Sequence, residues 1–265
     1  MEIRKSISIG QYIPANSFLH MLDPRTKLIS VLGFIVMIFF IKDLFGYLLL
    51  LVLMILLIFL STIPFSFFLR GLKPILFLIL FTVVIQLFMT KGTLLLALGP
   101  LKISLEGVFA ATYIFLRLVL LVFASSLLTL STSPIGLTNA LEYLLRPFKV
   151  IGIPASEISM MMTIALRFIP TILEETDRLI KAQTARGVNF EKGNLFKRLQ
   201  QLIPILIPLF VSAFRRADDL AIAMEARCFQ VGKKRTHLKE LSFTLRDWLF
   251  FVLFFVPVLS IVWFY

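Results

Sequence analysis

Long apolar runs with almost no charge constrain the fold of this chain more than any other feature of its sequence. Leu, Ile, Val and Phe dominate the runs, which occupy residues 28–41, 44–60, 75–89, 107–130 and 248–265. With flanking residues included, such runs reach the roughly 20 apolar residues that a membrane-spanning helix requires. Hydrophobic residues make up 59% of the 265 positions, compared with about 45–50% in soluble domains. The sequence therefore predicts an all-α integral membrane protein with about five transmembrane helices.

The chain changes character after residue 130, where charged residues become frequent. Up to about residue 246, no stretch reaches spanning length without charges. Apolar residues recur there at helical spacing, which predicts about three amphipathic helices, in segments 134–147, 154–187 and 195–228. This organisation divides the chain into N-terminal transmembrane helices (1–130), a charged helical domain (131–245) and a C-terminal transmembrane helix (246–265).

The positive charge of the chain is unevenly distributed. Lys and Arg number 27 against 15 Asp and Glu, and they concentrate in residues 1–27, 61–74 and 131–246. In membrane proteins an excess of Lys and Arg marks the cytoplasmic segments. We therefore expect a multi-pass protein of the cell membrane, embedded in the lipid bilayer, with its N-terminus and its charged domain in the cytoplasm. The basic charge then reports membrane topology, not nucleic-acid binding.

Two predicted helices of the charged domain end in the same three-residue motif, Ala-Arg-x. The two copies, 41 positions apart, are Ala185-Arg186-Gly187 and Ala226-Arg227-Cys228. Upstream of each arginine, steps of 4, 3, 4 and 3 residues keep a stripe of side chains on one helix face. A cation in the last turn can simply stabilise a helix end. A guanidinium at a helix tip can also pair bidentately with a carboxylate of a docking partner. Because the motif is duplicated in the same phase of the stripe, we predict that both arginines dock onto a duplicated partner.

Other side chains allow two interpretations each. Arg117 lies near the middle of the fourth apolar run, where it either lines a substrate path or pairs with a polar group of another helix. Ala213, Ala217 and Ala221 form a row of small side chains of the kind that lets another helix approach closely. That row serves ordinary packing within the chain, packing between the two helices that carry the repeated motif, or both, since the two interpretations are compatible.

The sequence offers little for catalysis or metal binding. It contains one cysteine, Cys228, and two histidines, His20 and His237, which lie far apart along the chain. Metal centres and activated nucleophiles need clusters of such residues. The chain also has no Gly-rich phosphate-binding loop with a lysine. We therefore expect a protein that is not an enzyme and that holds no metal or cofactor of its own.

The chain resembles the transmembrane T component of energy-coupling factor (ECF) transporters. The resemblance covers essentially the whole chain. It rests on Asp23-Pro24-Arg25-Thr26-Lys27 before the first apolar run, on the block of amphipathic helices and on the two Ala-Arg-x ends. It implies a non-catalytic subunit of an ATP-driven importer of vitamins or other micronutrients. Such a subunit joins two ATP-binding-cassette ATPases, which bind the ATP, to a substrate-binding S component.

The resemblance also assigns roles to residues of this sequence. One Ala-Arg-x end would dock onto each ATPase, through Ala185, Arg186, Gly187, Ala226, Arg227 and Cys228. The N-terminal motif of the family is matched by Asp23, Pro24, Arg25 and Lys27. The charged domain would then be a coupling-helix domain.

Contact with the S component is a further expectation. The adaptable side chains of Met160, Met161 and Met162 would either touch it or pack in the core of the chain. Hinges of the coupling-helix domain would lie at 131–134 and 187–193. The alternative to the whole assignment is a self-contained permease that binds its own substrate, with Arg117 in the path.

Overall fold

The computed structural model describes most of the chain, and its described residues are 12–41, 43–98, 101–152, 154–188, 190, 194–230, 232 and 243–264. They belong to two units. The bundle unit draws its described residues from Ile9–Ala140 and Lys239–Tyr265, and the arm unit draws them from Leu141–Leu238. The predicted hinge at 187–193 lies partly outside the described residues.

Helices dominate the described residues, as the sequence predicts. In chain order the elements are α1 (Phe18–Met21), α2 (Pro24–Phe40), α3 (Leu44–Ser61), α4 (Phe65–Leu72), α5 (Leu76–Met89), β1 (Leu94–Leu98), β2 (Leu101–Ser104), α6 (Leu105–Ser131), α7 (Pro134–Leu145), a 3-10 helix (Arg146–Ile151), α8 (Ala155–Ala185), α9 (Leu195–Ala226) and α10 (Leu245–Phe264). Each of the five predicted apolar runs is helical, in α2, α3, α5, α6 and α10. The predicted all-α membrane architecture is thereby confirmed.

Local sequence sets where the bundle helices begin. Asp23 precedes α2, and its carboxylate accepts the backbone N–H of Arg25 at 2.8 Å. Pro24 takes the first helical position, where its missing N–H costs nothing. Ser104 precedes α6, and its hydroxyl accepts the N–H of Gly107 at 3.0 Å. Both side chains satisfy N–H groups that a helix start otherwise leaves without a partner.

The connection in residues 61–74 is largely helical, although its Pro64, Gly71 and Pro74 predict a loop. Residues 61–74 contain α4, whose Phe68 is fully buried with its ring centroid 6.2 Å from that of Phe123. α4 and α5 are bent by 62° relative to each other. Pro74 lies in the break, where a continuous helix would need the N–H that proline lacks. The proline and glycine residues of this segment indicate a turn, so the sequence pattern did not predict a helix with a buried phenylalanine.

A second connection contains a short antiparallel hairpin. Within residues 90–106, β1 pairs with β2 so that Leu94 is opposite Ser104 and Leu98 is opposite Leu101. Ser104 is the last residue of β2 and also the N-cap residue of α6. The hairpin is an addition to the predicted all-α architecture, and it leads directly into the longest helix of the bundle unit.

The core of the bundle unit lies among α2, α3, α6 and α10. Phe34, Tyr47 and Leu120 are at most 1% exposed. The rings of Phe34 in α2 and Phe254 in α10 lie 5.8 Å apart, which joins these two helices. The N-terminal and C-terminal apolar runs therefore pack in one core, although the whole charged domain separates them in sequence.

Other apolar side chains of the bundle unit face outward. Phe59 and Phe77 are 77% and 80% exposed, and an outward apolar surface of this kind suits lipid. Within the described chain, three helices are long and apolar enough to cross a membrane, namely α3, α6 and α8, and α4 with α5 would form a fourth, broken span. The chain is a multi-pass membrane protein, and the exact number of about five spans stays a prediction.

The arm unit is built on two long helices. α8 has 31 residues and α9 has 32, and their bounds match the predicted amphipathic segments 154–187 and 195–228. Both helices contain internal prolines, Pro170 in α8 and Pro204 and Pro208 in α9. α8 and α9, which we call the arms, continue through these prolines without a break, and each ends at an Ala-Arg-x motif.

Candidate docking site

The first Ala-Arg-x motif ends α8 in a defined backbone turn. Gly187 has a φ of +90°, in the left-handed region that glycine enters without steric cost. Its N–H donates to the carbonyl oxygen of Thr184 at 3.0 Å, and the N–H of Val188 donates to that of Gln183 at 3.1 Å. These two bonds define a Schellman motif, with Gly187 at the left-handed position just past the helix.

The second motif ends α9 in the same turn. Cys228 has a φ of +58°. Its N–H donates to the carbonyl oxygen of Glu225 at 2.8 Å, and the N–H of Phe229 donates to that of Met224 at 3.0 Å. The third residue of each motif thus has one structural role, which explains why glycine suits it. Cys228 meets that role at a cost of about 1 kcal/mol, because its Cβ crowds the backbone.

Both arginine side chains are exposed at these ends. Within the described residues, neither Arg186 nor Arg227 has a hydrogen-bond or ion-pair partner for its guanidinium group. Backbone N–H groups already bond to carbonyl groups at both helix ends, so the side chains are not needed as caps. Both guanidinium groups are therefore accessible to a partner, and their docking onto one stays a prediction. A planar guanidinium group that is exposed at a helix end is suited to a bidentate pair with a carboxylate.

The arms meet at positions that correspond in the repeat. Arg216 Nη2 donates to Glu175 Oε2 at 2.5 Å, and these residues are 41 positions apart, the offset that also separates Arg186 from Arg227. Each arginine lies 11 positions beyond its member of the pair (186 − 175 = 11 and 227 − 216 = 11). At 1.5 Å per residue, each tip is about 16 Å along its helix from the ion pair. The two tips are therefore equidistant from the point where the arms are tied together.

The row of alanines on α9 does not pack within the described chain. Ala213, Ala217 and Ala221 are all exposed, so both interpretations of this row are wrong. The buried or half-buried stripe of α9 consists instead of Gln201, Ile205, Leu209, Ser212, Arg216, Leu220 and Met224. Larger apolar side chains such as Ile205 remove more surface from water than alanine does, and they outcompete the alanine row for the inward face.

The three methionines predicted to touch the S component lie in the first half of α8. Met161 and Met162 are 58% and 36% exposed, whereas Met160 is half-buried. Two of the three side chains are therefore accessible to a partner, and their contact with one stays a prediction.

The N-terminal family motif has the opposite character, because it is buried in the bundle unit. Asp23, Thr26 and Lys27 are at most 7% exposed. Asp247 binds this motif from the far end of the chain: its Oδ1 accepts the backbone N–H of Asp23 at 2.9 Å and the hydroxyl of Thr26 at 3.1 Å. Lys27 Nζ donates to the carbonyl oxygen of Ser131 at 2.8 Å. The motif therefore joins the starts of α2 and α10 to the end of α6.

Sequence reasoning missed Asp247, although a local pattern marks it. Thr244 stands three residues earlier, a few residues before the last apolar run and directly before α10, and Thr-x-x-Asp at such a place is a helix-start signal. Asp247 Oδ2 accepts both the N–H and the hydroxyl of Thr244, at 2.8 and 2.7 Å. This local bond was predictable, whereas the bond to Asp23, 224 positions away, was not.

Aromatic side chains of other helices hold Arg117. Its Nε and Nη2 donate to Tyr47 Oη at 3.0 and 2.7 Å, and its guanidinium carbon lies 5.1 Å from the ring centroid of Phe39. Tyr47 is fully buried and donates its own hydroxyl to the carbonyl oxygen of Ile38 at 3.3 Å. The structural interpretation of Arg117 is confirmed, and the substrate-path interpretation loses its main residue.

Metal-ligating residues are dispersed in the part of the chain that the structure describes. No group of three or more His, Cys, Asp and Glu side chains there is arranged to hold a metal ion. Cys228 is exposed at the α9 tip, and His20 forms hydrogen bonds within the bundle unit. His237 lies outside the described residues.

Comparison with known proteins decides the family. Residues 15–238 match the family model CbiQ, which is described as cobalt transport protein. The chain belongs to the CbiQ family. The matched residues include the N-terminal motif and both Ala-Arg-x ends, and they end before Asp247.

Relatives of this CbiQ-family chain carry the name energy-coupling factor transporter transmembrane protein EcfT. The relative from Thermosediminibacter oceani is 51% identical over 243 residues, which are 92% of each chain. That from Ruminiclostridium cellulolyticum is 52% identical over 243 residues, 92% of this chain and 91% of the relative. That from Clostridium kluyveri is 48% identical over 265 residues, 98% of each. The resemblance to the ECF transmembrane component is thereby confirmed.

Proposed function

We propose that this CbiQ-family chain is the transmembrane coupling subunit of an ECF importer, and that it links two ATPase subunits to a substrate-binding S component. The observation that carries the proposal is the pair of matched arginine tips, equidistant from the Glu175–Arg216 ion pair. A chain that presents the same tip twice suits a partner that is itself present twice. The names of the relatives, which are transmembrane proteins of ECF transporters, support the same assignment.

Each tip is suited to enter an acidic groove. The Schellman turn bonds two carbonyl groups at each helix end, so burying the tip leaves fewer backbone groups without partners. The small alanine of each motif, Ala185 or Ala226, lets a groove wall approach the helix closely. The guanidinium groups of Arg186 and Arg227 then exchange water for a carboxylate of the partner. Truncating one partner of such a desolvated charge pair costs about 2–5 kcal/mol.

The proposed action of the chain is mechanical. Nucleotide binding that closes two ATPases would change the separation of the two grooves, and each tip would move with its groove. Because Glu175 and Arg216 tie the arms together, neither helix would move independently of the other. The arms would then act as a two-state element whose position both the ATPases and the S component bias.

Catalysis and substrate selection lie with the partners in this proposal. The ATPases bind the ATP, the S component selects a vitamin or other micronutrient, and the chain holds no cofactor or metal of its own. Arg117, the residue on which a permease would depend, is engaged by Tyr47. We assign the S-component contact to the exposed Met161 and Met162, whose flexible thioether side chains adapt to different surfaces. We place the N-terminus and the coupling-helix domain in the cytoplasm.

Affinity purification of the tagged chain from its native membranes tests the proposal. We expect two ATPase subunits and a small membrane protein to co-purify with it. The isolated chain should hydrolyse no ATP, and calorimetry should detect no stoichiometric vitamin binding. A chain that accumulates a vitamin in vesicles without any ATPase would contradict the proposal and support the permease.

A further inference from the structure

A buried carboxylate joins the starts of two helices in the bundle unit. Asp247 is 1% exposed and accepts four hydrogen bonds, from the backbone N–H groups of Asp23 and Thr244 and from the hydroxyls of Thr26 and Thr244, at 2.7–3.1 Å. The starts of α2 and α10 both carry partial positive charge, which an anion at this place stabilises. A carboxylate with four donors has its hydrogen-bonding capacity filled. Asp247 therefore fastens α2 to α10 at their N-terminal ends.

A buried cation meets the opposite kind of helix end. Lys27 is 5% exposed, and its Nζ donates to the carbonyl oxygen of Ser131, the last residue of α6, at 2.8 Å and to that of His20 at 3.4 Å. The preceding carbonyl group, that of Leu130, accepts the N–H of Ile13 at 3.0 Å. The last carbonyl groups of a helix have no partner within it. Here the two final ones are both bonded from outside the helix.

His20 holds the segment before α2 against this end. Its Nε2 lies 3.0 Å from the carbonyl oxygen of Ile13, which can only accept, so Nε2 carries the proton and Nδ1 accepts the hydroxyl of Ser17 at 2.7 Å. Burial, assisted by the neighbouring Lys27 ammonium, lowers the pKa of His20 and favours this neutral ring. Residues 13–20, which we call the strap, thus cross the end of α6.

We propose that the strap and Lys27 clamp the end of α6, and that Lys27 is a positioning residue for the coupling function proposed above. Beyond Ser131 the chain continues through α7 and, after Ala140, into the arm unit. Ser131 and Thr132 are 3% and 6% exposed. Because the Ser131 carbonyl group is bonded and both side chains are buried, a hinge in the predicted range 131–134 has to lie after Thr132. Movement of the arm unit then pulls on a fixed helix end instead of unwinding it.

Amide hydrogen exchange in the assembled transporter, with and without the ATP analogue ATPγS, tests the clamp. The variant Lys27→Met removes the donors and keeps an apolar side chain of similar length. We expect exchange at amides 128–131 to become roughly tenfold faster, as the loss of one charge-assisted hydrogen bond implies. We also expect the analogue to change exchange in the bundle unit of the wild type but not in that of the variant.

The control is Leu50→Ala, which removes a fully buried side chain from α3 without touching the clamp. Each protein is measured at the same number of degrees below its own melting temperature. Under these conditions Leu50→Ala should keep the response of hydrogen exchange to ATPγS. A full response in Lys27→Met, or an equal loss in both variants, would overturn the positioning role. If the wild-type complex does not form or does not respond, the proposed coupling function fails. The exchange rate at 128–131 in Lys27→Met still decides the clamp then, and an unchanged rate overturns it.

Discussion

The bundle unit and the arm unit use their charged motifs in opposite ways. In the bundle unit, Asp23 and Lys27 are at most 7% exposed, and both take part in bonds that join separate helices. In the arm unit, Arg186 and Arg227 are exposed and have no partner among the described residues. Both motifs are short charged patterns beside a helix end, and the sequence alone does not distinguish them. The burial of the two motifs distinguishes them. We expect mutation of the buried N-terminal motif to damage the fold, and mutation of the exposed Ala-Arg-x motifs to damage assembly.

The largest effect should come from removing both exposed arginines. Each single variant, Arg186→Ala or Arg227→Ala, should weaken association with the ATPases, and the double variant should abolish it. A charge pair lost from a desolvated site costs about 2–5 kcal/mol, and the double variant loses two such pairs. The melting temperature of the isolated chain should not change, because both side chains are exposed. Co-purification yield and thermal unfolding measure these two quantities separately.

Lysine variants provide the control for this comparison. Arg186→Lys and Arg227→Lys keep the charge but lose the planar fork, so they should rescue assembly only in part. Normal recovery of the complex from the double alanine variant would show that the tips are not the docking elements.

The buried motif should show the reverse pattern. Asp247→Ala leaves the N–H of Asp23 and the hydroxyl of Thr26 without their acceptor, and it removes a charge placed between two helix starts. We expect the free energy of unfolding of the isolated chain in detergent to fall by about 3 kcal/mol. Variant molecules that do fold should still bind the ATPases.

Asp218→Ala is the matched control, because it removes the same side chain from an exposed position of α9. An exposed substitution of this kind usually changes stability by less than about 0.5 kcal/mol. Equal melting temperatures for the two variants would show that the tie between α2 and α10 contributes nothing to the fold.

The helices were predictable because their signals are local. Apolar runs and helical periodicity located α3, α6, α8 and α9 to within a few residues, and both depend only on neighbours in sequence. α4 was missed because Pro64, Gly71 and Pro74 indicate a loop, whereas the burial of Phe68 depends on packing against α6. Tertiary contacts decided this segment.

The docking site was predictable in part for the same reason. The Ala-Arg-x ends are local patterns. Glycine at position 187 indicates a left-handed turn, but cysteine at position 228 does not, although the same turn occurs there. The direction of the alanine row was mispredicted because small side chains permit close packing without requiring it. The Glu175–Arg216 pair could have been predicted from the repeat, because opposite charges stand at corresponding positions of the two copies. The clamp could not be predicted because the bonds that Lys27 and Ile13 make to α6 join residues more than 100 positions apart.

Exchanging the charges of the Glu175–Arg216 pair tests the tie between the arms. Glu175→Arg places two cations together, and we expect the free energy of unfolding of the chain to fall by about 1 kcal/mol. The cost is modest because the two side chains are 25% and 32% exposed, and it should shrink at high salt. The double variant Glu175→Arg/Arg216→Glu should restore most of the stability. A double variant no more stable than the singles would show that the contact between α8 and α9 does not depend on this pair.

The smallest effect should distinguish the two helix ends from each other. Gly187 and Cys228 occupy the same left-handed position, with φ of +90° and +58°. Gly187→Ala should lower the free energy of unfolding by about 1 kcal/mol, because a Cβ is disfavoured there. Cys228→Gly should raise it by only about 0.5 kcal/mol, because glycine also gains freedom in the unfolded chain. Both variants keep the arginines, so co-purification with the ATPases should be unchanged. If the two changes shifted the melting temperature in the same direction, the two helix ends would not share one turn, and the tips would not be matched in their backbone structure.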